Sequence, residues 1–302
     1  MTRRPHRPSA DGGLAELLAR PFDIHAPTRQ TVPFIFASPH SGRLYPSAFT
    51  AASRLGPTAL RRSEDAYVDE LFGGVVALGA PLIAARFPRA FVDANRGPGE
   101  LDAAMFDGPL GLAIDPPGSR VAAGLGVIPR IVRDGAEIYS SKLPAAEAWA
   151  RITGLYRPYH LALLLLVEQT LARFGVAVVV DCHSMPSAAA IPDMVLGDRY
   201  GASAAAPLTR WAEDAFLQSG FSVARNAPYA GGHTTIAHGR REEGRHAIQI
   251  EINRTLYLDE ERIERRPLFG DVQNRLTRAL TLLTAIDPAR LRPARSLPQA
   301  AE

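Results

Sequence analysis

Two histidines and a glutamate lie in or directly after apolar segments that have the length of β-strands. His40 and His183 each follow such a run, and Glu251 lies within a third run at 246–253. A β-strand carries the residues at its carboxyl end to one edge of the sheet, where open α/β folds bind their ligands. Two imidazoles and a carboxylate at that edge are the parts of a hydrolytic metal site. The pattern therefore predicts a metal-dependent hydrolase in which His40 and His183 bind the ion.

The oxygen ligand of this predicted metal site has one candidate, Asp65. It belongs to an acidic segment at the start of a predicted helix, where Ser63 could cap the first turn. Helix capping and solvated charge account for the other acids of the segment, Glu64, Asp69 and Glu70. A helix that begins at the sheet edge points its first turn toward the site, which makes Asp65 the predicted third ligand.

Asp181 precedes His183 by two positions in the same apolar run. Side chains alternate along a strand, so Asp181 shares a side with His183 and could orient a neighbouring ligand. Cys182 then points to the opposite face, into the packing. A catalytic thiol beside His183 is disfavoured for this reason.

Glu251 occupies a run that is too apolar for the protein surface. A charged residue in such a strand is expected to be paired, linked to a metal or functional. Two interpretations stay open: a role in catalysis, and a salt bridge with an arginine that supports the core.

Polar residues that follow the second predicted strand are candidates for substrate binding. They are Arg89, Asn95 and Arg96, with Asp93 between them. The planar guanidinium of arginine matches a carboxylate through paired hydrogen bonds. Arg96 could clamp a substrate in this way, or it could form a buried brace with Asp93.

A glycine-rich and basic segment at 230–245 forms the last candidate region. Glycine pairs allow a close approach of the backbone to a ligand, or the movement of a lid. A plain surface loop is the competing interpretation. The candidate residues of the segment are Gly232, His233, Thr235, His238, Arg240 and Arg245.

Apolar runs of strand length alternate with longer helical patterns along the chain. This alternation predicts an α/β fold, a three-layer αβα sandwich with a mostly parallel or mixed central sheet. The predicted strands are 32–38, 81–86, 176–182, 193–197 and 246–252, and the predicted helices are 64–79, 144–173, 203–219 and 260–285. Pro158 and Pro267 should kink or divide their helices. Residues 97–133 are predicted to form a long excursion over the sheet edge.

The predicted organisation is one hydrolase domain at 29–287 between two tails. Residues 1–28 are expected to form a flexible arm and residues 288–302 a flexible tail, since both are rich in proline and arginine. The first residues lack an apolar segment of the kind found in a secretory signal, and no run approaches the length of a membrane span. A cytoplasmic location is the simplest expectation.

Composition excludes several classes of function. The net charge is +3, and Lys142 is the only lysine among 34 basic residues. The arginines are scattered and form no stripe with aromatic residues, so nucleic acid is not an expected partner. Cys182 is the single cysteine, which excludes an internal disulfide and a zinc site built from paired cysteines.

The chain resembles the N-formylglutamate amidohydrolase family over roughly residues 30 to 285. The motifs that carry the resemblance are SPHSG at 38–42, EDAYVDEL at 64–71, RFPRAFVDANR at 86–96, DCHSMP at 181–186, the glycines at 231, 232 and 239, and EGRHAIQIEINRTLYLDE at 243–260. The resemblance implies a zinc-exopeptidase-like fold of the phosphorylase/hydrolase type. It also implies hydrolysis of N-formyl-L-glutamate to formate and L-glutamate, a terminal step of histidine degradation.

The same resemblance implies roles for individual residues. His40 and His183 would bind zinc, and Glu251 would act as the base. The pair Asn95 and Arg96 is similar to an Asn-Arg pair that binds a substrate carboxylate in related zinc carboxypeptidases and aspartoacylases. As a separate hypothesis on the mechanism, we expect Arg96 to stabilise the developing oxyanion. We also expect arginines among Arg89, Arg240, Arg241 and Arg245 to bind the two carboxylates of a small acidic N-acyl amino acid.

The chain departs from these families at two places. The acid that the related enzymes carry three residues after the first histidine is replaced by Arg43, so the oxygen ligand must come from elsewhere. In the glycine loop, His233 and His238 stand where a tyrosine and an aromatic residue or histidine are expected. These departures leave open a metal-dependent amidohydrolase for another acidic N-acyl or γ-glutamyl compound. A non-catalytic protein that binds acidic metabolites is the alternative from another class.

Overall fold

The structure is a computed structural model that describes residues 12–111, 113–132, 135–188 and 190–293. The strands are β1 (Phe22–His25), β2 (Phe34–Ser38), β3 (Leu82–Ala85), β4 (Phe106–Asp107), β5 (Leu143–Pro144), β6 (Ala177–Met185), β7 (Met194–Gly197), β8 (Val223–Arg225), β9 (Arg245–Asn253), β10 (Leu258–Asp259) and β11 (Glu264–Arg265). The α-helices are α1 (Gly12–Ala19), α2 (Ser47–Ala52), α3 (Pro57–Arg61), α4 (Val68–Leu71), α5 (Ser119–Ala122), α6 (Ala145–Arg151), α7 (Arg157–Phe174), α8 (Ala206–Gln218), α9 (His233–His238) and α10 (Phe269–Thr284). Short 3-10 helices cover Gly73–Val76, Ala103–Met105, Arg241–Glu243, Arg254–Leu256 and Pro288–Leu291, and a π-helical turn covers Ile152–Tyr156.

Seven strands of the described residues form one mixed sheet in the order β1-β3-β2-β6-β9-β7-β8. The central strands β3, β2, β6 and β9 are parallel. The outer neighbours β1 and β7 pair antiparallel with β3 and β9. Strands β6 and β9 are rich in valine and isoleucine and almost completely buried, as central parallel strands are. Because the four central strands run in one direction, their carboxyl ends meet at one edge of the sheet.

Helices cover both faces of this sheet. Alternate side chains of β6 belong to two separate cores, because successive residues of a strand point to opposite faces. Val178, Val180 and Cys182 pack on the side of α4, α8 and α10, whereas Ala177 and Val179 pack on the side of α6 and α7. The predicted three-layer αβα sandwich with a mixed sheet is confirmed. Cys182 is buried in the packing, on the face opposite to the one that carries Ala177 and Val179.

The predicted helix at 64–79 begins later than expected. Tyr67 has a φ of 63°, and α4 starts only at Val68. Ser63 therefore does not cap the helix, and Asp65 lies in a turn before it. Tertiary contacts of the acidic side chains in this turn override the local preference for a helix. The second half of the predicted helix is the 3-10 segment Gly73–Val76.

The prolines divide the other predicted helices much as expected. Pro158 lies in the first turn of α7, directly after the π-helical turn that joins α6 to α7. Pro267 precedes α10, and the chain before it forms the β10–β11 hairpin instead of a helix. Within the part of the chain that the structure describes, no helix combines the length and the apolar character that a bilayer crossing requires.

The folded part of the chain extends beyond the predicted boundaries at 29 and 287. Within the expected arm, β1 pairs with β3 and Leu17 of α1 is buried. The apolar residues around Leu17 pack against one of the two hydrophobic cores, which removes them from water. Within the expected tail, Leu291 is buried and its carbonyl oxygen accepts a hydrogen bond from His246 Nε2 at 2.7 Å. Residues 1–11 and 294–302 of the two predicted tails lie outside the described residues.

Candidate active site

A cavity of about 490 Å³ lies at the carboxyl edge of the parallel strands. This volume falls within the range of about 300–1,000 Å³ that is common for small-molecule sites. The predicted site residues that line it are His40, Asp65, Arg89, Asn95, Arg96, His183, Gly232 and Glu251. Further charged and polar residues of the wall include Arg62, Asp93, Arg120, Ser184, Gln249 and Arg254.

The side chains of His40, Asp65 and His183 converge at one side of this cavity. Asp65 Oδ2 lies 2.9 Å from His183 Nδ1 and 3.3 Å from His40 Nδ1. All three side chains are buried, and one ligand atom from each lies within 4.8 Å of the others. Arg43 takes no part, since it pairs with Asp69 on the surface. The structure thus brings together a His-Asp-His group that could bind a metal ion.

Two turns bring the first histidine and the aspartate together. The backbone N–H of Asp65 donates a hydrogen bond to the carbonyl oxygen of His40 at 3.0 Å. Next to His40, the backbone at Gly42 passes so close to Phe87 that a Cβ at Gly42 would lie 2.0 Å from the Phe87 carbonyl oxygen. Only glycine permits this approach, which holds the turn after β2 against the segment after β3.

Each of the two histidines has a carboxylate next to its Nε2 atom. His40 Nε2 lies 2.7 Å from Asp93 Oδ1, and His183 Nε2 lies 2.9 Å from Asp181 Oδ2. When Nε2–H donates to such a carboxylate, a neutral imidazole would present its Nδ1 lone pair on the side of Asp65. Two lone pairs and a carboxylate oxygen at one point repel one another unless a positive charge lies between them. The donor set therefore fits a divalent cation.

The pKa values of His183 and Asp65 both shift in the direction that favours positive charge beside the carboxylate. Burial by itself lowers the pKa of His183, but the carboxylates of Asp181 and Asp65 outweigh burial and hold this pKa well above its ordinary value. Burial raises the pKa of Asp65, yet the hydrogen bonds from His183 and His40 outweigh it and bring the pKa well below the usual range. Asp65 is thus an ionised carboxylate.

The second oxygen of Asp65 is held by Arg254 and Ser184. Asp65 Oδ1 accepts hydrogen bonds from Arg254 Nη2 at 2.9 Å and from Ser184 Oγ at 3.2 Å. Arg254 Nε also donates to Ser184 Oγ at 3.0 Å. These contacts fix the carboxylate so that Oδ2 faces the two histidines.

Glu251 lies beside the His-Asp-His group on the neighbouring strand. In the register of β6 and β9, Glu251 is the partner of His183, and Glu251 Oε1 accepts a hydrogen bond from Gln249 Nε2 at 2.7 Å. Burial raises the pKa of Glu251 to about 7, although the charge of His183 lowers it. No ion pair links Glu251 to an arginine of the described residues, in contrast to the salt-bridge interpretation. A carboxylate that titrates near neutrality suits proton transfer.

Asn95 is bonded to the protein at both ends of its amide. Its Nδ2 donates to Asp181 Oδ2 at 3.0 Å, and its Oδ1 accepts from the backbone N–H of Thr234 at 2.8 Å. A Cβ at Gly232 would lie within 2.4–2.6 Å of the Asn95 side chain, so this position of the wall requires glycine. Asn95 therefore joins Asp181 to the start of α9, in addition to lining the cavity.

The two predicted arginines of the cavity wall are anchored differently. Arg89 Nε donates to Asp93 Oδ2 at 3.0 Å. Arg96 donates from Nε to the Leu125 carbonyl oxygen at 2.9 Å and from Nη1 to the Asn95 carbonyl oxygen at 3.0 Å, and its Nε lies 3.9 Å from Asp93 Oδ2. Backbone carbonyls thus brace Arg96 more closely than Asp93 does, and Arg96 also faces the cavity.

Five predicted residues of the 230–245 segment are not part of this cavity wall. Thr235 is buried and its Oγ1 donates to the Gly232 carbonyl oxygen within α9. His233, at the start of α9, packs beside the His160 ring, with 5.4 Å between centroids. His238 is buried at the end of the same helix, and burial lowers its pKa to about 4.

Arg240 and Arg245 lie farther along the chain from α9. Arg240 is exposed and lies 3.8 Å from Glu243. Arg245 is the first residue of β9 and pairs with Glu168 of α7 at 2.8 Å. Since Glu251 is near the carboxyl end of the same strand, Arg245 lies at the opposite edge of the sheet. The structure does not bring either arginine to the cavity.

Several residues of the site were not predicted in their observed roles. Asp93 was considered only as a partner of Arg96, whereas it contacts His40. Arg254 was not among the predicted site residues, although it holds Asp65. Its position at the carboxyl end of a central strand, next to an apolar run, was a usable signal. Arg120 carried no such signal, because it lies in the long excursion between strands.

We expect Asp93→Asn to weaken metal binding by about 10- to 100-fold, because the amide keeps the shape of Asp93 but not the charge that supports the His40 imidazole. The measurement is the zinc dissociation constant by competition with a chromogenic chelator. Asp107→Asn, at an exposed aspartate outside the cavity, is the matched control. Equal zinc affinity in the Asp93 variant and the wild type would show that Asp93 does not support the ligand.

Comparison with known proteins places the chain in a family. The profile of the N-formylglutamate amidohydrolase family matches residues 32–258. The N-formylglutamate deformylase of Pseudomonas aeruginosa is 30% identical over 242 residues, which cover 77% of this chain and 85% of that protein. The N-formylglutamate deformylase of Pseudomonas putida is 27% identical over 241 residues, or 76% of this chain and 83% of that protein. The crystal structure of N-formylglutamate amidohydrolase from Ralstonia eutropha JMP134 superposes with a TM-score of 0.81 at 38% identity, covering 87% of this chain and 96% of that chain. With a profile match across most of its length, the chain belongs to the N-formylglutamate amidohydrolase family.

Proposed function

We propose that this protein hydrolyses the N-formyl amide of N-formyl-L-glutamate to formate and L-glutamate, as a step of histidine degradation. The observation that carries the proposal is the buried His40–Asp65–His183 group beside Glu251, in a cavity with several arginines. The relatives named for this reaction support the choice of substrate. The arginines suit a substrate with two carboxylates.

His40, Asp65 and His183 would hold the ion, and zinc is the ion that we propose. Two imidazoles and one carboxylate are a common ligand set of catalytic zinc sites, which keep one position open. When bound there, the ion supplies Lewis acidity that lowers the pKa of water from about 15.7 towards about 7. Asp93 and Asp181 would keep both imidazoles in the tautomer that presents Nδ1 to the ion.

Glu251 is the proposed base of the reaction. It would take a proton from the attacking water as the new C–O bond forms at the formyl carbon. It would then return that proton to the amide nitrogen as the C–N bond breaks, so that formate and the free amine leave. Gln249 orients the carboxylate for both transfers through its hydrogen bond to Oε1. A pKa near neutrality lets one group serve as acceptor and donor.

Arg96 is the proposed donor to the oxyanion that develops on the formyl oxygen. Its guanidinium is held by the carbonyl oxygens of Leu125 and Asn95, so its direction is set before the substrate binds. Donors that are arranged in advance contribute several kcal/mol to stabilising such a charge, as an order of magnitude. Arg89, next to Asp93 and His40, would serve a carboxylate close to the reacting amide.

The test is a panel of substrates with the metal-loaded protein. We expect formate release from N-formyl-L-glutamate and far slower release of amine from N-acetyl-L-glutamate and γ-glutamyl amides. Metal analysis of the same sample should show zinc in proportion to protein. Preferred hydrolysis of an acetyl or γ-glutamyl compound would support the alternative amidohydrolase. Binding of these acids without any turnover would support the non-catalytic alternative.

A further inference from the structure

The wall of the cavity carries more basic than acidic side chains. Five arginines and three acids line it, namely Arg62, Arg89, Arg96, Arg120 and Arg254 against Asp65, Asp93 and Glu251. Two of the acids are already engaged, because Arg254 contacts Asp65 and Arg89 contacts Asp93. Excess positive charge in a concave site attracts anionic ligands.

Arg120 is the arginine of this wall that its protein neighbours leave available. Its side chain makes no hydrogen bond or ion pair with the residues described in the ranges above, and it is exposed to the cavity. Burial lowers the pKa of Arg96, and the positive charges of Arg89 and Arg120 lower it further, against the opposing effect of Asp93. Arg120 therefore adds positive charge to this side of the cavity, and no carboxylate of the described residues forms an ion pair with it.

The backbone places Arg120 beside Arg96. The Arg120 carbonyl oxygen accepts a hydrogen bond from the backbone N–H of Leu125 at 2.8 Å, and the Leu125 carbonyl oxygen accepts from Arg96 Nε at 2.9 Å. Both arginines and Leu125 line the cavity. Leu125 thus links the backbone of Arg120 to the side chain of Arg96 through two hydrogen bonds.

The three arginines differ in the number of contacts that link them to His40. Arg89 is separated from His40 by a single carboxylate, Asp93. Arg96 lies 3.9 Å from the same carboxylate, and Arg120 is joined to Arg96 only through Leu125. In an N-acyl glutamate, one carbon separates the amide nitrogen from the α-carboxylate, whereas three carbons separate it from the side-chain carboxylate. The carboxylate farther from the amide would therefore meet Arg120, which is linked to His40 through the longest series of contacts of the three.

We propose that Arg120 binds the side-chain carboxylate of the substrate and so selects dicarboxylic N-acyl amino acids. This assignment rests on the proposed function and names the residue that distinguishes glutamate from its neutral amide. A charge-assisted hydrogen bond to a guanidinium has the geometry and strength for that discrimination. Arg120 lies in the excursion at 97–133 and not at the end of a strand, so a substitution at Arg120 should leave the proposed metal ligands in place.

The test compares two substrates that differ only in the terminal group, N-formyl-L-glutamate and N-formyl-L-glutamine. We expect Arg120→Gln to lower kcat/KM for the glutamate compound by about 10- to 100-fold, mainly through KM. For the glutamine compound, kcat/KM should change by less than about 2-fold, since the lost partner is the charge of the substrate. Arg120→Lys should restore part of the preference, because lysine keeps the charge without the planar pair of donors.

Arg130→Gln is the matched control, since Arg130 lies in the same excursion and pairs with Glu137 instead of facing the cavity. It should leave the ratio between the two substrates unchanged. An equal loss for both substrates in Arg120→Gln would overturn the assignment. Calorimetric titration with L-glutamate and L-glutamine separates this result from a failure of the proposed function. If the wild type binds glutamate no better than Arg120→Gln does, the assignment is wrong whether or not the protein deformylates.

Discussion

Replacing Glu251 with glutamine lowers kcat by about 10²- to 10⁴-fold, the contribution that a positioned general base makes. Glutamine has the size of glutamate, and its carbonyl oxygen can accept the hydrogen bond that Gln249 donates to Glu251. The amide cannot take up a proton near neutral pH, so water loses its acceptor and the departing amine loses its donor. Metal content should stay that of the wild type, because the proposed ligand atoms belong to other residues.

The measurement pairs initial rates of formate release with metal analysis of the same preparation. Glu242→Gln is the control, because Glu242 is 82% exposed in the 3-10 turn before β9 and pairs with its neighbour Arg241. Its kcat should equal that of the wild type. Near-normal turnover in Glu251→Gln would show that Glu251 is not the base of the reaction. Loss of metal in that variant would instead assign it a ligand role.

The parts of the site that lie on strands could be predicted because a strand has a simple period. Asp181 and His183 are two residues apart on β6 and contact each other through Asp181 Oδ2 and His183 Nε2, while Cys182 lies in the opposite core. Glu251 was identifiable as an acid inside an apolar run. Its pairing with His183 required the strand order, which places β9 next to β6 and is set by packing across the whole sheet.

The parts of the site that lie on turns could be predicted only in outline. Asp65 was expected in the first turn of a helix, but Tyr67 adopts a left-handed conformation and the helix begins after it. The contacts that hold Asp65 come from Arg254 and Ser184, which are distant in sequence. Local helix propensity cannot report such contacts, since they form only when the sheet has brought the segments together.

The arginines show where reasoning from a basic segment is insufficient. Arg240 and Arg245 belong to the basic segment at 230–245, yet they lie on the surface and at the opposite sheet edge. The five arginines that line the cavity come instead from separate parts of the chain, namely Arg62, Arg89, Arg96, Arg120 and Arg254. Whether a strand residue reaches the cavity depends on the end of the strand that it occupies. Arg245 is the first residue of β9, whereas the cavity lies at the carboxyl end of that strand.

Replacing His183 with alanine should remove the metal itself. The ion would lose one of its three proposed ligands, and two buried carboxylates, Asp65 and Asp181, would face each other without the imidazole between them. We therefore expect a zinc-to-protein ratio near zero after dialysis, together with a loss of unfolding free energy of about 1–3 kcal/mol from the unpaired groups. His183→Gln keeps a donor for Asp181, so it should fold more stably while still losing the ion.

The control for both variants is His25→Ala, at an exposed histidine of β1. It should retain zinc and the melting temperature of the wild type, which separates loss of a ligand from loss of any histidine. Metal analysis and a thermal melt on each protein give the two readings. Full zinc occupancy in a folded His183 variant would mean that the ion is held by other side chains. The convergence of His40 and His183 on Asp65 would then be a buried hydrogen-bond network that stabilises the sheet edge, and the activation of water would need a different location.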